Sequence, residues 1–139
     1  MADVSQRAPR TGSPQIAAMG ALLAALGVVA GAFGAHGLSS RLDETHMRVF
    51  ETAVRYHLLH AIALVAIGLA GAGTDSPRAE ATLARGPAAL LTTGVVLFSG
   101  SLYALALGAP TWLGLVTPFG GLSLIVGWAW LAFRLFARA

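Results

Sequence analysis

Residues 31–60 read GAFGAHGLSSRLDETHMRVFETAVRYHLLH, and the organisation of the whole chain follows from them. It ends one long apolar run, crosses a polar segment and opens a second apolar run that carries histidines near its start. No Pro or Gly interrupts residues 41–67, so the pattern predicts a single helix that continues from the polar segment into the second run. The run before it, residues 16–37, holds no Asp, Glu, Lys or Arg. At ~1.5 Å per residue it is long enough to cross a ~30 Å hydrocarbon core.

The composition agrees with a chain that is solvated mainly by lipid. Hydrophobic residues make up 56% and charged residues 11%, with a mean hydropathy of +0.73, whereas soluble domains carry about 25% charged residues. The sequence therefore predicts an all-α four-helix transmembrane bundle over residues 16–139, preceded by a flexible tail over residues 1–15. The predicted spans are 16–37, 52–72, 86–108 and 112–133. A signal peptide is the alternative interpretation of the first run, although that run exceeds the ~7–15 residues of a signal core.

The polar segment after the first span has the features of a helix start. Ser40 followed by Asp43 matches the N-terminal capping pattern, with Glu44 to Arg48 and Glu51 to Arg55 as acid-before-base pairs. At ~100° per residue these charges fall on the helix face opposite the histidines at 46, 57 and 60. The second helix is therefore predicted to extend outside the membrane core as an amphipathic segment, with its histidine face packed against protein.

The arginines predict the orientation of the bundle. Six of the nine lie in the N-terminal tail, the second connector and the C-terminus, against three in the first connector. This asymmetry favours a multi-pass membrane protein with both termini in the cytoplasm. The arginines occur singly at the ends of apolar runs and form no patch that could follow a phosphate backbone, so the bilayer is the expected partner and nucleic acid is not.

Three histidines and a tyrosine form the candidate polar or ligand cluster: His36, His57, His60 and Tyr103. Antiparallel helices joined at the outward end are expected to bring them to similar depth. Hydrogen bonding between helices is the structural interpretation of the cluster. Ligation of a metal or haem, or contact with a quinone, is the functional one. The sequence identifies neither a cofactor nor a metal.

The sequence offers no catalytic constellation. All six acidic residues lie in the tail or connectors, so no serine in a span has an acidic partner and no membrane carboxylate is available for proton-coupled export. A non-enzymatic protein is predicted.

Small residues recur at helical spacing. Gly27 with Gly31, and Ser123 with Gly127, show the spacing that lets membrane helices approach closely. We interpret them as helix-packing positions, with self-association as the alternative.

Four stretches, GAFGAHGL, FETAVRYHLLHAIAL, VLFSGSLYALAL and VTPFGGLSLIVGWAW, resemble characteristic stretches of the YgdD-like small inner-membrane proteins. The resemblance covers all four predicted spans and implies a four-span protein of unknown function. Under it His36 and His60 match the family pattern, while the position of His57 is usually glutamine. The expected role is a structural or accessory subunit of a larger membrane complex or homo-oligomer. The alternative is ligand binding or transport at an outward-half histidine pocket.

Overall fold

The computed structural model describes residues 13–70 and 77–137, with the side chains of 77–83 excepted. Apart from the connecting segments, this part of the chain is entirely helical. The α-helices are α1 Pro14–Phe33, α2 Glu44–Ala70, α3 Pro77–Gly94, α4 Gly100–Ala106 and α5 Val116–Phe136. A π-helical turn, Gly34–Leu38, extends α1, a second one, Val95–Ser99, joins α3 to α4, and a 3-10 turn, Thr111–Leu115, precedes α5.

Within the described residues, four helical segments are long and apolar enough to cross a membrane, which confirms the predicted all-α four-span fold. We refer to them as spans 1 to 4: Pro14–Leu38, Glu44–Ala70, Ala84–Ala106 and Thr111–Phe136.

Span 1 begins with Pro at its first position, where the missing N–H costs no hydrogen bond. The predicted tail to residue 15 therefore overlaps the first helical turn, and residues 1–12 lie outside the described residues. The predicted end of the second span at residue 72 lies outside them too.

The amphipathic helix begins later than the sequence pattern predicts. Ser40 lies in the turn after span 1, where the backbone N–H groups of Arg41 and Leu42 both donate to the Leu38 carbonyl. Asp43 caps the helix instead, because its Oδ1 accepts a 2.9 Å hydrogen bond from the His46 N–H. Hydrogen bonds from the His46 backbone and ring lower the pKa of the exposed Asp43 carboxyl.

One of the two predicted ion pairs is present. Arg48 Nη1 lies 2.8 Å from Glu44 Oε1, whereas Glu51 and Arg55 form no ion pair in the described structure. All four side chains are exposed, as the two-faced helix predicts. The histidine face was predicted to pack against protein, and His46 is an exception to this. Its ring is exposed and pairs with Asp43.

The spans form two closely packed hairpins that meet along spans 2 and 3. Spans 1 and 2 make one hairpin, and spans 3 and 4 make the other. Glycines allow the close approach in both. A Cβ added to Gly68 would lie 2.3 Å from the Ala17 nitrogen, and one added to Gly120 would lie 2.3 Å from the Phe98 nitrogen. The backbones of each hairpin therefore touch at positions where only glycine fits.

Candidate functional site

Two buried histidines of span 2 face span 3 and span 4 near the middle of the fold. His57 is 8% exposed and His60 is 3% exposed. The Nδ1 atom of His57 lies 3.2 Å from the Tyr103 hydroxyl of span 3, so these two residues link the hairpins. We call His57, His60, Tyr56 and Tyr103 the histidine layer. The structure thus brings together three of the four residues of the predicted cluster: His57, His60 and Tyr103.

His60 uses its hydrogen-bonding capacity within its own helix. Its Nδ1 donates to the Tyr56 carbonyl at 2.7 Å, one helical turn earlier. Its ring stacks on Tyr56 and contacts Trp128 of span 4, with ring centroids 6.0 Å apart. His60 is therefore held by aromatic contacts on two sides, and its bond to the backbone fixes the ring orientation.

His36 lies apart from this layer. Its side chain is exposed in the π-helical turn at the end of span 1. Gly27 of span 1 faces His57, since a Cβ there would lie 3.6 Å from His57 Cδ2. His36 follows Gly27 by nine positions, which is about 14 Å along a helix axis. The predicted convergence of all three histidines is therefore not found for His36.

The register of the hairpin explains this difference. Gly34 packs on Phe50, Gly31 on Val54 and Gly27 on Leu58, so residues nearer the end of span 1 pair with earlier residues of span 2. His57 is consequently deeper in the fold than His36. Ligand binding by His36 or His57 stays a prediction.

Two buried polar atoms in this region have no hydrogen-bond partner among the described residues: His57 Nε2 and Ser99 Oγ. Ser99 ends the π-helical turn of span 3 and is 1% exposed. Within residues 13–70 and 77–137, no group of three His, Cys, Asp or Glu side chains is arranged to hold a metal ion. The layer can therefore supply a hydrogen-bond acceptor or donor at His57, and it offers at most two histidines to a ligand.

Sequence reasoning missed the aromatic residues that enclose the layer. Phe50 lies 5.0 Å from Tyr103 between ring centroids, and Tyr56 lies 4.6 Å from Phe98. Phe50 falls at the same helical phase as Ala53 and His57, so its place on the packed face could have been found from the helical period. The contact of Trp128 with His60 depends on how the two hairpins meet, and no single-helix pattern contains that information.

The four predicted helix-packing residues all lie at contacts within the chain. Gly27 and Gly31 face Leu58 and Val54 of span 2, and Gly127 faces Leu91 of span 3. Ser123 Oγ donates a 2.8 Å hydrogen bond to the Leu90 carbonyl across the second hairpin. These small residues lie at the contacts that close the two hairpins, and self-association through them stays a prediction.

We expect the hydrogen bond between the two hairpins to contribute modestly to stability. Tyr103→Phe removes the hydroxyl and keeps the ring, so it should lower the free energy of unfolding by about 0.6 kcal/mol, the average for hydrogen bonds between membrane helices. A double-mutant cycle with His57→Phe, measured by unfolding in detergent, should give a coupling energy of that size. A coupling of zero would show that the two groups do not interact in the folded protein.

Substitutions of Ser99 and Ser123 are expected to have different effects. Ser123→Ala should destabilise the protein by about 0.6 kcal/mol, because it removes a bond between helices. Ser99→Ala should be neutral or stabilising, since Ser99 Oγ is buried without a partner and alanine removes that desolvation cost. Thermal unfolding of both variants tests this ranking, and a larger loss for Ser99→Ala would mean that its hydroxyl binds a group absent from the described contacts.

The fold and the buried polar layer define a class: small helical membrane proteins that cross the bilayer four times. The chain matches the family described as "Protein of unknown function (DUF423)" over residues 30–121. It is 44% identical to the UPF0382 membrane protein SH2409 of Staphylococcus haemolyticus over 118 residues, covering 85% of this chain and 92% of that protein. It is 39% identical to the UPF0382 membrane protein YwdK of Bacillus subtilis over 115 residues, covering 79% and 86%.

A UPF0382 membrane protein of Haemophilus influenzae is 38% identical over 109 residues, covering 78% of this chain and 83% of the relative. No solved structure matches the chain significantly. The chain belongs to the DUF423 family and is an integral membrane protein whose activity is unknown.

Proposed function

We propose that this protein is a structural or accessory subunit of a membrane complex and that it is not an enzyme. One observation carries the proposal: the two outer spans leave most of their surface uncovered. In their most apolar windows, 11% of span 1 and 17% of span 4 is buried inside the fold, against 33% for spans 2 and 3. Val29 of span 1 is 66% exposed, and Ile125 of span 4 is 67% exposed. Such faces can pack on another membrane protein as well as on lipid.

The polar side chains between the spans support the same role. His57, Ser101 and Ser123 each bond to a residue of another span. They connect helices and so hold the fold together. A protein with a fixed interior and two uncovered outer helices suits attachment to a larger assembly, or to further copies of itself.

Affinity purification from native membranes in mild detergent tests this role. A partner that co-purifies at fixed stoichiometry is the expected result. Val29→Trp and Ile125→Trp place a bulky side chain on each uncovered face and should release that partner, whereas Arg41→Gln, in the turn after span 1, should retain it. Recovery of the protein as a monomer without a partner would contradict the proposal.

We also propose that the protein lies in the inner membrane with both termini in the cytoplasm. The excess of arginine at the end that carries the termini supports this orientation. The resemblance to the YgdD-like inner-membrane proteins supports the membrane assignment.

Single cysteines test the orientation, because the chain has no native cysteine. An impermeant reagent added from outside should label cysteines at Ser40 and Thr111, which are exposed at one end of the fold. It should not label cysteines at Ser5 or Ser76, which lie outside the described residues. The reverse pattern would invert the topology.

The alternative function is binding of a haem, metal or quinone, or transport, at the histidine layer. The specific observation that favours it is the buried His57 Nε2 atom, which has no partner among the described residues. A visible spectrum or metal analysis of the purified protein tests it. A bound species lost in both His57→Gln and His60→Gln, with the bundle still folded, would favour this alternative over the accessory role.

A further inference from the structure

A groove of about 500 Å³ lies between span 1 and span 3. It is at the end of the fold opposite the π-helical turn that carries His36. Its floor is Leu64 of span 2, which has no exposed surface. Ile16 and Met19 of span 1 form one wall, and Ala88 and Ala89 of span 3 form the other. The small alanines on one side leave room for a narrow apolar chain.

The groove has one charged end. Gln15 and Arg85 line it where spans 1 and 3 begin, and Thr93 lines it eight residues further along span 3. Those eight residues correspond to about 12 Å of depth. Thr92 adds little polarity, because its hydroxyl already donates to the Ala88 carbonyl at 2.8 Å. The groove therefore runs from a polar mouth at the membrane surface into an apolar section at hydrocarbon depth.

The net positive charge of the chain lies outside the first connector. The first connector, residues 39–55, carries three arginines and three acidic residues, so its net charge is zero. The remaining six arginines and three acidic residues lie in the tail, the second connector and the C-terminus, and they account for the whole net charge of +3. Arg85 is exposed, and Asp43, Glu44 and Glu51 lie at the other end of the fold. Glu80 precedes Arg85 by five positions on α3, which is about 140° around the helix.

We propose that this groove binds one anionic phospholipid, with its phosphate at Arg85 and an acyl chain along the apolar section. A groove at hydrocarbon depth is filled by alkyl chains, because water there would lack hydrogen-bond partners. A basic residue at its mouth selects a negatively charged headgroup. Gln15 supplies an amide donor at the same mouth of the groove. The proposal does not depend on the accessory role, since it concerns a different face of the molecule.

A second copy of the chain fits the groove less well. All copies insert in the same direction, so a neighbour brings the same six arginines and three acidic residues, a net charge of +3, to the surface where Arg85 lies. It therefore supplies no net complementary charge. A lipid of the adjacent leaflet can supply the charge and the chain together.

Thermal unfolding in detergent, followed by tryptophan fluorescence, tests the proposal. Phosphatidylglycerol and phosphatidylcholine with identical acyl chains are titrated separately, and sodium phosphate is titrated as a third ligand. Phosphatidylglycerol should raise the melting temperature with the highest affinity. Arg85→Gln should weaken that affinity about fivefold, as expected for one basic residue near a charged membrane surface. Arg41→Gln, an exposed arginine at the other end, should leave it unchanged.

A second variant tests the acyl-chain section separately from the charge. Ala89→Trp fills the exposed wall of the groove and should abolish stabilisation by both lipids. Three results would overturn the proposal: equal affinity for the two lipids, an unchanged phosphatidylglycerol response in Arg85→Gln, or an unchanged response in Ala89→Trp. Stabilisation by sodium phosphate alone, to the same extent as by lipid, would also overturn it and indicate a site for free anions.

Discussion

Gly120→Ala is expected to lower the free energy of unfolding by about 3 kcal/mol, at the upper end of the usual cost of overpacking a core. The added Cβ would lie 2.3 Å from the Phe98 nitrogen and 2.7 Å from the Phe98 Cα. Both are backbone atoms of the neighbouring span, so a side-chain rotation cannot relieve the overlap. The hairpin of spans 3 and 4 must separate, and the bond between Ser101 and Thr117 is then lost with it. Reversible unfolding in detergent measures this effect.

Gly100→Ala is the matched control on the neighbouring span. A Cβ at Gly100 would meet nothing within 4 Å. Alanine is also favoured over glycine within a helix by about 1 kcal/mol, so this variant should be neutral or more stable. Equal destabilisation of the two variants would mean that spans 3 and 4 do not approach as closely as the structure indicates.

The number and type of the helices could be predicted from the sequence because each span satisfies a simple physical requirement. A run such as residues 16–37 has no charged residue and is long enough for the bilayer. The helix of span 2 was likewise predicted, since no Pro or Gly interrupts residues 41–67. Its face assignment also followed from the helical period, and Ala53, His57 and His60 are buried as that period predicts.

Helix starts were predicted less well because two residues offered similar capping chemistry. Ser40 and Asp43 both carry an oxygen that can accept from a backbone N–H. The Leu38 carbonyl, which holds the turn at Arg41 and Leu42, leaves Asp43 as the first residue free to cap. Such a turn depends on the π-helical end of span 1, and the sequence GAHGL does not by itself distinguish a π-helical turn from an α-helical one.

The candidate site could be predicted only in part because it depends on the register between helices. The pairing of His57 with Tyr103 joins residues 46 positions apart, and no periodicity within one helix encodes it. The register is set by the glycines: Gly20 and Gly27 fix how span 1 slides along span 2. Sequence analysis identified the second of these glycines as a packing residue. It did not indicate that the same glycine faces His57 and so excludes His36 from that depth.

Ala53→Arg is expected to prevent folding, because position 53 is buried and lies within span 2. Ala53 has no exposed surface and lies on the packed face of span 2, one turn before His57. An arginine there must either be buried without a partner or force the two hairpins apart. A charged residue at the centre of a membrane helix costs about 3 kcal/mol on insertion scales, and breaking the packing adds to that cost. The yield of monodisperse folded protein after detergent extraction is the measurement.

Glu51→Arg introduces the same side chain two residues earlier and provides the comparison. Glu51 is exposed and forms no ion pair with Arg55, so its replacement removes no contact of that kind. This variant should fold with a yield close to that of the original protein, because exposed charges contribute less than about 1 kcal/mol. Ala53→Leu separates volume from charge: it should cost about 1–3 kcal/mol by overpacking and still permit folding. Similar yields for Ala53→Arg and Glu51→Arg would show that position 53 faces water or headgroups, and the assignment of the packed face of span 2 would then be wrong.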